Sequence, residues 1–183
     1  MVKQIHAPLQ PEELASLRAG DSVLLSGTIY TGRDAAHKRM CALIADGQAL
    51  PFDVRGQVIY YAGPCPAKTG DVIGSCGPTT SSRMDAYSPL LCGLGLIGMI
   101  GKGPRGPQVV EAIQRNGGVY FAATGGAGAL IAGCVKAVNV IAFDDLGTEA
   151  IRELKVENLP LIVAVDAHGG NLYEQGPAQY RRE

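Results

Sequence analysis

Three short stretches place cationic side chains where they could grip an anion. In Thr31-Gly32-Arg33-Asp34-Ala35-Ala36-His37-Lys38-Arg39, Arg33 falls at the start of an expected helix. A cation there faces the positive end of the helix dipole, a placement that an anionic ligand would turn to advantage. His37, four residues on, shares a helical face with Arg33. Thr31 reads as the helix cap, with Asp34 completing a weakened capping box. In Gly77-Pro78-Thr79-Thr80-Ser81-Ser82-Arg83-Met84-Asp85, a run of hydroxyls follows a turn. Such a run suits a helix N-terminus that receives a carboxylate, with Thr79 and Arg83 on one face. In Gly98-Met99-Ile100-Gly101-Lys102-Gly103-Pro104, Lys102 stands among glycines after an apolar strand, and ligand groups collect at the carboxyl ends of parallel strands. Each stretch also has a plain reading: Arg33 over Asp34 on a solvated helix, Arg83 paired with Asp85, and Lys102 on a solvated turn. Three cations at three strand ends match a small dianion.

Familiar site motifs are missing. Gly126-x-Gly128 would need a third Gly where Ile131 stands, and Gly101-Lys102-Gly103 lacks the earlier Gly and the Ser or Thr of a phosphate loop. The five cysteines, Cys41, Cys65, Cys76, Cys92 and Cys134, are widely and unevenly spaced, with no C-x-x-C pair. No zinc site and no cluster-binding run is visible, so no metal ligand is assigned to this chain. Lys plus Arg number 16 against 17 Asp plus Glu, which gives no electrostatic footprint for nucleic acid or for an anionic membrane. An odd cysteine count and a start without an apolar leader lead us to expect free thiols in the cytoplasm. Leu90 to Gly101 is too short to span a bilayer, and Lys136 interrupts the apolar stretch from Gly118 to Val138.

With 46% hydrophobic and 18% charged residues, the 183 residues suit one globular domain. The 25 glycines, about twice the ~7% usual, end apolar runs throughout the chain. Pro11, Glu12 and Glu13 open a short helical segment over about 11–19, closed by Gly20. Strands are expected over Asp21–Tyr30, Val58–Tyr61, Asp71–Ser75, Gly95–Ile100, Val119–Ala122, Val140–Phe143 and Leu161–Val165. Helices are expected over Arg33–Ala45, Gln108–Arg115, Gly128–Ala137 and Glu149–Leu154. The alternation predicts a single compact α/β domain, with a mixed, largely parallel sheet flanked by helices. Parallel pairing is expected in the second half, and a mixed sheet in the first.

The same stretches carry a resemblance. Ser26 to His37, Tyr60-Tyr61-Ala62-Gly63-Pro64-Cys65-Pro66, Gly77 to Asp85, Ile100 to Gly103, Ala123-Thr124-Gly125-Gly126-Ala127 and Val165-Asp166-Ala167-His168-Gly169 resemble, in order, the beta subunit of class I iron–sulfur fumarate hydratases and tartrate dehydratases. The chain is equally similar to the C-terminal domain where the two parts are fused. Gly32 departs mildly from the bulkier small residues familiar before the arginine. The resemblance implies a swivelling β/α type of domain and the interconversion of fumarate and L-malate, or dehydration of L(+)-tartrate. It also implies a [4Fe–4S] cluster, held by a partner alpha subunit in a hetero-oligomer (alpha2beta2), acting as Lewis acid on the departing hydroxyl. Arg33, Arg83 and Lys102 would hold the substrate carboxylates, with Thr79 as the proton-transfer group and His37 a second catalytic candidate. A non-catalytic dicarboxylate-binding module is the reading of another class.

Overall fold

The computed structural model describes residues 2–182. Five strands pair in parallel and in sequence order: β1 (Lys3–Ala7), β2 (Ser22–Thr31), β3 (Val58–Tyr60), β4 (Gly98–Gly101) and β5 (Val119–Ala122). Two more, β6 (Val135–Ala142) and β7 (Ile151–Val165), run antiparallel to their neighbours. Because β7 pairs with both β5 and β2, the strands β2, β3, β4, β5 and β7 close into a five-stranded barrel, with β1 and β6 added outside the ring.

A largely parallel mixed sheet is therefore present, but its halves are the reverse of the sequence expectation. Parallel neighbours need a long crossover, and the first half supplies one each time. Helices α1 (Pro11–Ala15), α2 (Asp34–Ala45), α3 (Ser88–Gly93) and α4 (Pro107–Asn116) stand in these connections. Between β6 and β7 there is only the short 3-10 turn Asp144–Glu149, which permits a hairpin and nothing else. Helix α5 (Gly128–Cys134) precedes β6, and α6 (Leu172–Tyr180) closes the described chain.

Alternation along the strands builds two cores. Val58 and Tyr60, Ile100, Val119 and Phe121, and Leu154, Leu161 and Val163 share the cluster inside the ring. Their strand neighbours Ile59, Met99, Tyr120 and Ala164 pack outward against Ala36, Met40, Leu91, Val109 and Ile113 of the helices. Buried on both faces, these strands read as continuous apolar runs.

Several expected elements differ. Asp71–Ser75 is not a strand but part of an exposed loop; no neighbouring strand runs beside it, and Gly74 sits against the carbonyls of Cys65 and Pro66. The helix expected over Glu149–Leu154 is instead the end of the 3-10 turn and the start of β7, where Leu154 and Val156 alternate inward. The first helix stops at Ala15, short of the expected 19. Helix α5 ends at Cys134, and β6 begins at Val135, earlier than Val140. Helices α3 and α6 were not expected. No helix among the described residues is long and apolar enough to cross a membrane.

Candidate active site

The carboxyl ends of β2, β3 and β4 lie side by side, and each is followed by one of the cation-bearing stretches. Arg33 comes directly after β2 and is itself the residue flanking α2. Thr31 does not cap that helix, contrary to expectation. Its hydroxyl reaches across the sheet, donating to the Ala150 carbonyl at 3.3 Å and accepting from the Arg152 N–H at 3.0 Å. The cap comes from far away instead. Glu149, in the turn between β6 and β7, accepts the Ala35 N–H at 3.2 Å with one carboxylate oxygen and meets Arg33 Nη2 at 3.1 Å with the other. A carboxylate there satisfies an orphan donor of the helix and opposes its dipole. Arg33 lies close over Gly63, where any β-carbon would come within 3.0 Å of Nη1.

Asp34 joins the two arginines. Its Oδ2 accepts from Arg83 Nη2 at 2.9 Å, and its Oδ1 lies 3.8 Å from Arg33 Nε. Arg83 therefore pairs with Asp34, not with Asp85. The hydroxyl run does not open a helix of useful length. Ser81–Met84 forms one 3-10 turn with no side-chain cap, so Thr79 precedes it and does not share a helical face with Arg83.

Thr79 is fixed by its backbone: its N–H donates to the Tyr61 carbonyl at 2.7 Å and its carbonyl accepts from the Lys102 N–H at 3.3 Å. Thr80 and Lys102 form a parallel bridge. The second and third stretches are thus stitched together immediately beyond β3 and β4. Thr79 is partly exposed, while Lys102 is exposed and makes no ion pair among the described residues.

His37 is buried behind this face. Its Nδ1 lies 2.8 Å from the Arg33 carbonyl, and burial holds its pKa down, to about 4, so the ring is neutral near pH 7. A carbonyl can only accept, so Nδ1 carries the proton and Nε2 is the bare acceptor. That Nε2 is buried without a partner. Placed so, His37 orients the Arg33 backbone and has no path to bulk water.

A residue that no motif signalled lies underneath. Arg105, its side chain fully buried, binds Asp85 at 2.7 Å and Ser88 at 2.8 Å, between the rings of Tyr61 and Tyr120 at 5.2 and 5.1 Å. The Tyr120 hydroxyl donates to the Gly103 carbonyl at 2.8 Å and also bonds Ser81 Oγ. Gly101 is required here, because a β-carbon would overlap Ser81 Oγ and come within 2.9 Å of the Tyr61 ring. This layer sets the floor on which Thr79 and Lys102 stand. Glu149, Asp34 as a bridge, and Arg105 are the residues that sequence reasoning missed.

The groups present do not fit an iron–sulfur cluster. Among the described residues no three His, Cys, Asp or Glu side chains gather as a metal site. All five cysteines are unpaired and scattered, and burial pushes the thiols of Cys76 and Cys92 up to about 12 and 11, far from the thiolate a cluster needs. What the strand-end face offers is hydrogen-bond donors: two arginines and a lysine beside a threonine hydroxyl, a set suited to small carboxylates. A groove of about 650 Å³ along the 65–75 loop and an apolar one of about 420 Å³ beside Val23 are lined by other residues.

Known proteins share this sequence pattern. The family model described as Fumarase C-terminus matches residues 2–176. The chain is 42% identical over 173 residues to the putative L(+)-tartrate dehydratase subunit beta of Methanocaldococcus jannaschii, covering 91% of this chain and 89% of that one. It is 38% identical over 165 residues to the anaerobic class I fumarate hydratase of Escherichia coli K12, and 36% identical over 166 residues to fumarate hydratase 2 of Leishmania major. In those two relatives the matched part is only 30% and 29% of the whole, although it takes in 89% and 90% of this chain.

Proposed function

This chain belongs to the fumarase C-terminus family, and from that premise we propose that it is the cluster-free subunit of a hydro-lyase acting on a C4 dicarboxylate, interconverting fumarate and L-malate. The observation that supports this most is the meeting of three sequence-distant stretches at adjoining strand ends, through the Asp34 bridge and the Thr79–Lys102 backbone bond. In this reading Arg33, Arg83 and Lys102 take the substrate carboxylates. The proton lost in dehydration lies alpha to one of them, and its removal builds charge that fixed cations stabilise as it forms. A charge-assisted contact to a carboxylate contributes about 1.5–3 kcal/mol, so losing Arg33 costs one to two powers of ten in rate at ~1.4 kcal/mol per decade. Thr79 stands nearest in chemistry to the proton transfer, and its hydroxyl needs a second group to act as a base. That group, like the [4Fe–4S] cluster, we assign to an alpha subunit completing the site. Among the described residues no ligand set for the cluster is present. The unpaired thiols suit work in the cytoplasm.

A second reading, L(+)-tartrate dehydration, is favoured by one observation: the identity of 42% to the putative L(+)-tartrate dehydratase subunit beta, against 38% and 36% to the two fumarate hydratases compared. The deciding experiment is anaerobic co-expression with the partner subunit, then assay of fumarate, both malate enantiomers and the tartrate isomers. Turnover of fumarate is expected only with the partner present. Turnover by the isolated, metal-free chain, or dicarboxylate binding with no turnover in any assembly, would overturn the proposal; the latter would leave a binding module.

A further inference from the structure

We propose that Asp34 is a positioning residue that sets Arg33 and Arg83 as one clamp, with Glu149 bracing Arg33 from the other side. This rests on the hydro-lyase reading above. The side chain of Arg83 is half exposed, on a turn of four residues, and among the described residues it contacts no group of opposite charge other than Asp34. An arginine left free in such a place would lose rotamer entropy whenever a ligand froze it. Asp34 removes that loss beforehand, because it is the first residue of α2 and is itself held by the helix. The helix in turn is capped by Glu149, which also meets Arg33. Three separate elements, α2, the 81–84 turn and the β6–β7 turn, are thereby locked by carboxylates that each touch a substrate-binding arginine.

The geometry argues for positioning over competition. A guanidinium has five donors. Asp34 engages Nη2 of Arg83, leaving the other donors of that half-exposed guanidinium free for a ligand, and Glu149 engages Nη2 of Arg33, whose Nε is buried. On the Arg33 side Asp34 does not close a hydrogen bond: Arg33 Nε and Asp34 Oδ1 are 3.8 Å apart, and both atoms are buried without a partner. Neither atom has room beside it for a water, so Asp34 holds Arg33 through this close charge contact and not through a shared ligand.

The two roles differ in sign. A competing carboxylate, once neutralised, would let substrate bind more tightly. A positioning carboxylate, once neutralised, lets it bind more weakly. Asp34→Asn keeps the shape and removes the charge. In the enzyme assembled with its partner, Asp34→Asn should raise KM about tenfold with kcat changed far less, since uniform binding is what is lost, and Glu149→Gln should do the same through Arg33. In the free chain, the side-chain Nε–H order of Arg83 measured by NMR should fall in Asp34→Asn. That of Arg39, which pairs with Asp145 at 2.7 Å, should not move. The Asp34→Glu variant should restore part of both. A lowered KM, or an unchanged Arg83 order parameter in a folded Asp34→Asn chain, would overturn the proposal. If the wild-type assembly turns over none of the acids, the hydro-lyase reading fails on its own, and the NMR measurement still decides whether Asp34 holds Arg83.

Discussion

Replacing Arg105 by Met tests whether the floor of the site is held by charge. The guanidinium is wholly buried, Asp85 is 17% exposed, and their contact is 2.7 Å. Removing one member of a buried pair costs about 3–5 kcal/mol, because the other charge is left behind. Here the low end applies, since Asp85 keeps the Gly106 N–H at 2.7 Å and some access to water. The contacts with the Tyr61 and Tyr120 rings add about 1 kcal/mol between them. Met fills most of the vacated volume, so the cavity term is small. The total is about 3–4 kcal/mol. For a chain of this size each kcal/mol moves Tm by about 2–4 °C, so a fall of roughly 10 °C is expected. Arg105→Lys keeps the charge but loses the fork that reaches both Asp85 and Ser88, and should lose about half as much. Urea titration followed by circular dichroism, with thermal melts beside it, reads both. A Met variant within ~1 kcal/mol of wild type would refute the reasoning, because nothing so well packed could then be bearing on the charge.

Gly101→Ala drives a methyl group into Ser81 Oγ. Overpacking of this kind costs about 1–3 kcal/mol, and adding Ser81→Ala should recover only part of it, because the Oγ overlap is removed while the Tyr61 ring stays 2.9 Å from the new methyl; additive losses in the double variant would contradict this. Thr79→Ala should leave Tm unchanged, as only the backbone of Thr79 is bonded within the chain. Its kcat in the assembled enzyme should fall by about 10² or more with little change in KM, and an equal loss through KM would remove Thr79 from proton transfer. His37 gives a pH signature. Its pKa falls from 6.5 to about 4 on folding, so the unfolded chain takes up a proton between those values and the folded chain does not. Its contribution is complete above pH 6.5 and is lost as pH falls towards 4, by about 3 kcal/mol in all. Urea midpoints from pH 7 to 4 should therefore fall less steeply in His37→Gln than in wild type; parallel curves would contradict the burial.

The sequence showed the central strands and helices clearly. Val119–Ala122 is β5 as expected, and Gln108–Arg115 lies within α4. It also pointed to Arg33, Arg83 and Lys102, through cations set against helix starts or stranded among glycines. What it could not show was whatever depended on closure of the ring. Glu149 caps a helix 114 residues away, and no local pattern records that. Thr31 looked like a cap because threonine before a helix generally is one; the ring closure gave its hydroxyl partners at Ala150 and Arg152 instead. Ile151–Val165 reads as a helix followed by a strand because Glu153, Leu154 and Lys155 are good helix formers, and because the bulge at Glu157 and Asn158, with Asn158 at φ 53°, and Pro160 interrupt the alternation of one long strand. Arg105 carried no signal at all, because a buried arginine is decided by the aromatic pair that closes around it.

The charge balance of the strand-end face explains why such a face would be only part of a site. Arg33, Arg83 and Lys102 bring three positive charges, and Asp34 and Glu149 in contact with them bring two negative ones, leaving one. Two arginines drawn together with no carboxylate between them would repel at short range, the more so because Arg33 is largely buried. The internal carboxylates are thus what lets the cluster form before any ligand arrives, and they consume most of its field in doing so. A dianionic acid bound here would still carry net negative charge after meeting this chain. In the proposed assembly the balance, and with it the discrimination of a dianion from a monoanion, would then have to come from cationic or Lewis-acidic groups on the proposed partner, while this chain contributes geometry: where each carboxylate sits and how little it can move.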